Sequence, residues 1–183
     1  MAKKKKKVIR TYDFIVLRVS DYSARVDASI NYEVRDSRYA TDETKIYSFN
    51  SALEVTALST WPEDHVGLMY YLTIYGHKPI QGDFDLTLGN FHVRNKDGFY
   101  KYRKRGGLEV PVYEPPKGIG LIEKVRGANR WNGSLWVHPK TVSDMLTLLT
   151  TVEVLYLFIH EMRLNRQRWI LGLTLQTTDP EEE

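Results

Sequence analysis

Apolar and polar residues alternate in the chain's early part. Ala24, Val26, Ala28, Ile30, Tyr32 and Val34 share one parity, and Arg25, Asp27, Ser29, Asn31, Glu33 and Arg35 the other. A period of two sustained this long predicts a half-buried strand with one wet face. Val8 to Ser20 is also rich in strand formers, and Asp21-Tyr22-Ser23 predicts a hairpin turn between the two runs. Further strands are expected near 44–59, 65–76, 83–94, 99–105, 108–113, 119–126 and 133–138. Trp61-Pro62, His77-Lys78-Pro79, Gly106-Gly107, Pro115-Pro116 and Asn132-Gly133 punctuate them.

One segment breaks the pattern. Val142, Met145, Leu146 and Leu149 recur at helical spacing after Pro139, and Thr141 with Asp144 suits a cap. A short amphipathic helix near 141–151 follows. Residues 154–159 are apolar on both faces, as a strand covered on both sides requires. After a turn at 164–167, Trp169, Leu171, Leu173 and Leu175 are expected on one face of a returning strand. Ile170, Gly172, Thr174 and Gln176 fall on the other.

About ten short strands and one helix predict a mainly β fold, an antiparallel two-sheet sandwich or jelly-roll-like domain. That domain spans 8–178, between a disordered basic tail (1–7) and an acidic tail (179–183). With 42% hydrophobic and 27% charged residues, the composition is that of a globular protein. The net charge is +3, but without the five lysines of 3–7 and the four acids of 179–183 the body carries only +2. A broad basic face for duplex DNA is therefore not expected. The chain has no cysteine, which removes disulfides and thiolate metal sites. No apolar run reaches the length of a membrane span, and no apolar signal core follows the charged start. Cytoplasmic placement and no membrane partner are the expectations.

Catalytic signatures are missing. There is no dinucleotide fingerprint, phosphate loop, His-Glu-x-x-His pair or G-x-S-x-G elbow. His65, His77, His92, His138 and His160 lack metal-ligand spacing. Asp83 and Asp85 share a strand face and have oxygens for a hard cation, yet an outward polar face gives the same pattern. His160 and its neighbour Glu161 point to opposite faces. Glu161 and Arg163 share one face, within reach of each other or of the returning strand. No catalytic residue, metal or cofactor is assigned, and a non-enzymatic role is expected.

The candidate chemistry lies in FHVRNKDGFYKYRKRGG, residues 91–107. Asp97-Gly98 is a two-residue hairpin signal. With those residues at the tip, Arg94 faces Lys101, His92 faces Arg103, and Lys96 faces Phe99. One face then gathers His92, Arg94, Lys96, Lys101, Arg103 and Arg105, while Tyr100 and Tyr102 sit on the other, ready to stack. A three-residue loop would move one strand to the opposite face. Opposed like charges destabilise a hairpin, so an anionic ligand such as nucleic acid is one reason to keep them. Protection of an exposed edge against aggregation is another. Lys124, Arg126, Arg130 and Lys140 with Trp131 and Trp136 form a second patch. There Arg130 and Trp131 are expected side by side on a loop over 127–132. The expected function is a β binding module for an anionic polymer. A protein partner or self-association is an equal alternative, and a lectin-like sugar binder a lesser one.

Overall fold

The computed structural model describes residues 10–30, 47–77, 85–164 and 167–178. The basic and acidic tails, the second half of the alternating run and Asp83 lie outside these residues. The chain forms two compact units, one of residues up to His77 and from Gly118 onward, the other of Lys78–Lys117.

The first unit contains strands β1 (Arg10–Ile30), β2 (Tyr47–Trp61) and β3 (Met69–Tyr75). Numbering in chain order gives β4 and β5 to the second unit. The first unit continues with β6 (Gly120–Lys124), β7 (Arg130–Trp136), helix α1 (Pro139–Thr151), β8 (Tyr156–Leu164) and β9 (Gln167–Gln176). The strands close into a barrel in the order β1-β2-β3-β7-β6-β9-β8. All pairs are antiparallel except β3 with β7. The mainly β content with one helix agrees with the sequence, but the sheet closes on itself in place of the expected two-sheet sandwich or jelly roll.

The length of β1 accounts for closure. It runs 21 residues without the hairpin expected at Asp21-Tyr22-Ser23. One edge pairs with β8 over Arg10–Arg18, and the other with β2 over Val16–Ile30. Where a turn was expected, the β1–β2 register slips between Val19 and Asp21. Such a bulge bends and twists a strand without reversing it. Beyond that point β1 pairs, among the described residues, only with β2, so the alternating residues 24–29 form a two-stranded ribbon. Val26 is 78% exposed, which corrects the expectation of a half-buried strand.

Inward positions follow the pleat. Ile15 and Leu17 of β1, Leu53, Val55 and Ala57 of β2, and Leu72 and Ile74 of β3 meet Ile122, Leu135, Leu157, Ile159 and Ile170 in one core. Another slip, beside His160 and Glu161, changes the parity of β9. Ile170 therefore packs inside while Leu173 and Leu175 pack against the same core, although the sequence puts them on opposite faces. Gly120 shows how closely strands approach, since a Cβ there would collide with the Ser134 carbonyl oxygen.

Helix α1 packs Val142, Met145 and Leu149 into the core. His138, not Thr141, caps it, accepting from the Lys140 N–H at 3.1 Å. The helix lies by the C-terminal end of β3, where a Cβ on Gly76 would meet Val142 at 3.0 Å. Tyr70, six residues before Gly76, is roughly 20 Å away near the strand's other end.

The second unit holds β4 (Tyr102–Arg105) and β5 (Leu108–Pro111), an antiparallel pair. Their turn is Gly106-Gly107, with φ of 58° and 83°. Two successive positive φ values are what a tight primed hairpin turn demands. The strand expected over 83–94 is absent from its described part, and Leu88–Phe91 forms a 3-10 turn instead. Asn90 Oδ1 accepts from both the N–H and the hydroxyl of Thr87, so local side-chain bonds replace a ladder.

Candidate functional site

In the 85–114 segment the hairpin register differs from the expected one. Arg94 bridges Tyr100, not Lys101, and His92 bridges Tyr113. Asn95 decides this. Its Oδ1 accepts from the N–H groups of Asp97 and Phe99 at 3.0 and 2.9 Å, while its own N–H donates to the Phe99 carbonyl. The loop is therefore Lys96-Asp97-Gly98, three residues long, with Gly98 at φ 85°.

The extra loop residue separates the six basic candidates. Arg94 lies with the aromatic side chains, its guanidinium 4.4 Å from the Tyr100 ring centre. It donates to the Gly98 carbonyl at 3.0 Å and to the Tyr100 hydroxyl at 3.1 Å. His92 stacks on Tyr100 at 4.3 Å and meets Tyr102 edge-on at 5.3 Å and Tyr113 at 5.1 Å. Lys101, Arg103 and Arg105 share the opposite face by strand alternation, with Val110 and Leu108 across from Arg103 and Arg105. Lys96 is in the loop. Lys101, Arg103 and Arg105 are all exposed, and none forms an ion pair among the described residues.

The remaining candidates belong to the barrel unit. Arg126 is exposed in the turn between β6 and β7. Arg130 is exposed at the start of β7 and stands over the Tyr71 ring at 5.5 Å. Trp131 is not beside it on a loop. Both are in β7, where neighbours face opposite ways, and Trp131 turns into the barrel end marked by Tyr70.

That end contains a polar group the sequence only hinted at. Glu161 is fully buried, with its two oxygens held by Arg168 Nε at 2.6 Å and Arg163 Nε at 2.7 Å. Arg163 also reaches Asp13 at 3.2 Å. The Arg168 guanidinium lies 4.2 Å from the centre of the Trp131 ring, and Trp131 stacks on Tyr70 and His65 at 6.2 and 5.9 Å. His65 Nδ1 and the Tyr70 hydroxyl share a 2.9 Å hydrogen bond. Burial, followed by the nearby Arg168 charge, lowers the His65 pKa. Burial pushes the Tyr70 phenol up to about 12, with Arg168 pulling the other way. The sequence signal was a glutamate and two arginines bordering an apolar strand pair. The shared face of Glu161 and Arg163 could be read from it, whereas Arg168 could not be placed inside without the β9 register slip.

Among the described residues no group of three or more His, Asp or Glu is arranged to hold a metal ion. Asp85 is exposed, and its companion Asp83 lies outside the described residues. No helix among them is long and apolar enough to cross a membrane. No family model, no curated protein and no solved structure matches this chain.

Proposed function

We propose that the protein is a non-catalytic cytoplasmic binding module whose 85–114 segment contacts single-stranded nucleic acid. The observation that carries this reading is the exposed face of Lys101, Arg103 and Arg105, without a carboxylate partner among the described residues. An arginine fork suits phosphate, and the aromatic side chains of the same segment supply stacking surface. Tyr102 is 52% exposed and Phe99 72%. The corrected register sharpens the division of labour, since Arg94 is engaged with Tyr100 and three cations remain for backbone phosphates. A protein partner is the second reading, favoured by Leu108 beside these cations, exposed by 73%.

Anisotropy of labelled single-stranded and duplex oligonucleotides between about 50 and 200 mM salt tests the proposal. A chain beginning at Val8 removes the lysines of 3–7 from the comparison. That shortened chain should bind single strands. Lys101→Ala/Arg103→Ala/Arg105→Ala should reduce the steepness of log K against log salt by roughly 2, as three lost phosphate contacts require. Binding that disappears with the lysine tail alone, or is indifferent to the triple substitution, refutes it.

A further inference from the structure

The barrel end opposite α1 contains a cleft of about 360 Å³ whose lining includes Ile122, Lys124, Trp131, Gln167 and Arg168. Two buried nitrogen atoms among these residues have no hydrogen-bond partner, Arg168 Nη2 and Trp131 Nε1. The Arg168 side chain is only 9% exposed, and it is fixed in place. Its Nε is bound to Glu161, and its guanidinium plane packs on Trp131. It cannot swing out to water to satisfy the remaining nitrogen. Folded proteins rarely bury a donor without an acceptor, and two in one cleft call for a common partner.

The chemistry of that partner follows from the orphaned atoms. Guanidinium and indole N–H groups donate and never accept. At the rim, Lys124 Nζ, a third donor, lies 5.9 Å from the Trp131 ring centre. The negative charge of Glu161 is already shared by Arg163 and Arg168. Glu123 also borders the cleft, but it is exposed and alternates to the other face of β6 from Lys124. A ligand here must bring acceptor oxygens, and negative charge on them is favoured. The volume suits a small molecule and is too small for a polymer.

We propose that this cleft binds a small oxyanion, the carboxylate or phosphate group of a small molecule, through Arg168 Nη2 and Trp131 Nε1, with Lys124 as the counter-charge at the rim. The site shares no residue with the basic segment proposed for nucleic acid, and neither reading depends on the other.

Indole N–H signals in the nitrogen–proton spectrum of the full-length protein report on it directly. The chain has four tryptophans, and the Trp131 signal is identified by its loss in Trp131→Phe. Inorganic phosphate and acetate are titrated separately at ionic strength held constant with chloride. The Trp131 signal should move and saturate with at least one of them, while that of Trp136 stays in place. The probe that saturates first distinguishes a phosphate ligand from a carboxylate one. Lys124→Ala should weaken the apparent affinity at least threefold, and Lys140→Ala, ion-paired with Asp144 on α1, should leave it unchanged. Trp131→Phe keeps an aromatic side chain, though a smaller one, and removes the orphaned donor. It should lose the phosphate- or acetate-induced rise in melting temperature, and if it fails to fold the Lys124 comparison decides alone. A Trp131 signal that does not move, or moves linearly together with all other indoles, overturns the proposal and leaves water as the partner of both donors.

Discussion

The barrel and the 78–117 unit are built from similar strand-forming residues, yet they are ordered by different forces. Among the described residues of the barrel unit, twenty apolar side chains are buried. Not one described residue between 85 and 117 is. That segment is held by backbone ladders, the Asn95 and Asn90 side-chain bonds, and the stacking of His92 among three tyrosines. Hydrophobic burial contributes about 25 cal/mol per Å² removed from water, whereas a net hydrogen bond contributes about 1 kcal/mol. The barrel's side chains are thus committed to its stability, while those of the smaller unit remain available to a partner. Charge divides the same way. Residues 78–117 carry eight Lys and Arg against five Asp and Glu, which equals the whole chain's net +3.

The contrast is tested most severely at Arg168. Arg168→Leu leaves fully buried Glu161 with Arg163 alone, and loss of one partner from a buried pair costs about 3–5 kcal/mol. Urea unfolding should show a loss of that size, and a variant as stable as the parent would mean that the polar barrel end is not part of the fold's support. Acid titration should give an intermediate effect. Because His65 has a lowered pKa when folded, the unfolded chain takes up its proton first. Stability from this source is fully present above the unfolded value of about 6.5 and is lost as pH falls from there to the lower folded pKa. His65→Phe should flatten this limb of the urea midpoint against pH, and an unchanged limb would assign it to other groups. Smallest of all, Phe99→Ser should move the urea midpoint by no more than about 0.5 kcal/mol, the range of ordinary surface substitutions. A larger loss would show that the smaller unit relies on burial after all.

Strand content and the helix were legible because periodicity records which side chains meet the core. Val142, Met145 and Leu149 announced α1, whereas the run 154–159, expected to be covered on both faces, buries only Leu155, Leu157 and Ile159 and leaves Val154 exposed. Connectivity was less legible. The slip near Ser20 carries the chain straight through a polar triplet that reads as a turn, and the slip opposite His160 reverses the parity of β9. Each adds one residue to one strand, and periodicity alone cannot assign that residue to a bulge or a loop. The basic segment shows the same limit. The residues that make it basic were evident, but the Asn95 bonds fix a three-residue loop, so Arg94 joins the tyrosines. Glu161 and Arg163 could be paired from spacing, while Trp131, Tyr70 and His65 come from three places in the chain and meet only when the barrel closes.

Closure sets an order of events during synthesis. The contact between Asp13 and Arg163 joins residues 150 positions apart. At the usual speed of translation, about 5–20 residues per second, β1 waits roughly 8 to 30 s for β8 to be made. Throughout that interval one edge of β1 has no partner from its own chain, a state that invites strand pairing with other nascent chains. Arg10 and Arg18, at the two ends of the segment that will receive β8, are both exposed in the finished barrel. Their like charges would repel a second unfinished copy, keeping the edge open until β8 is made.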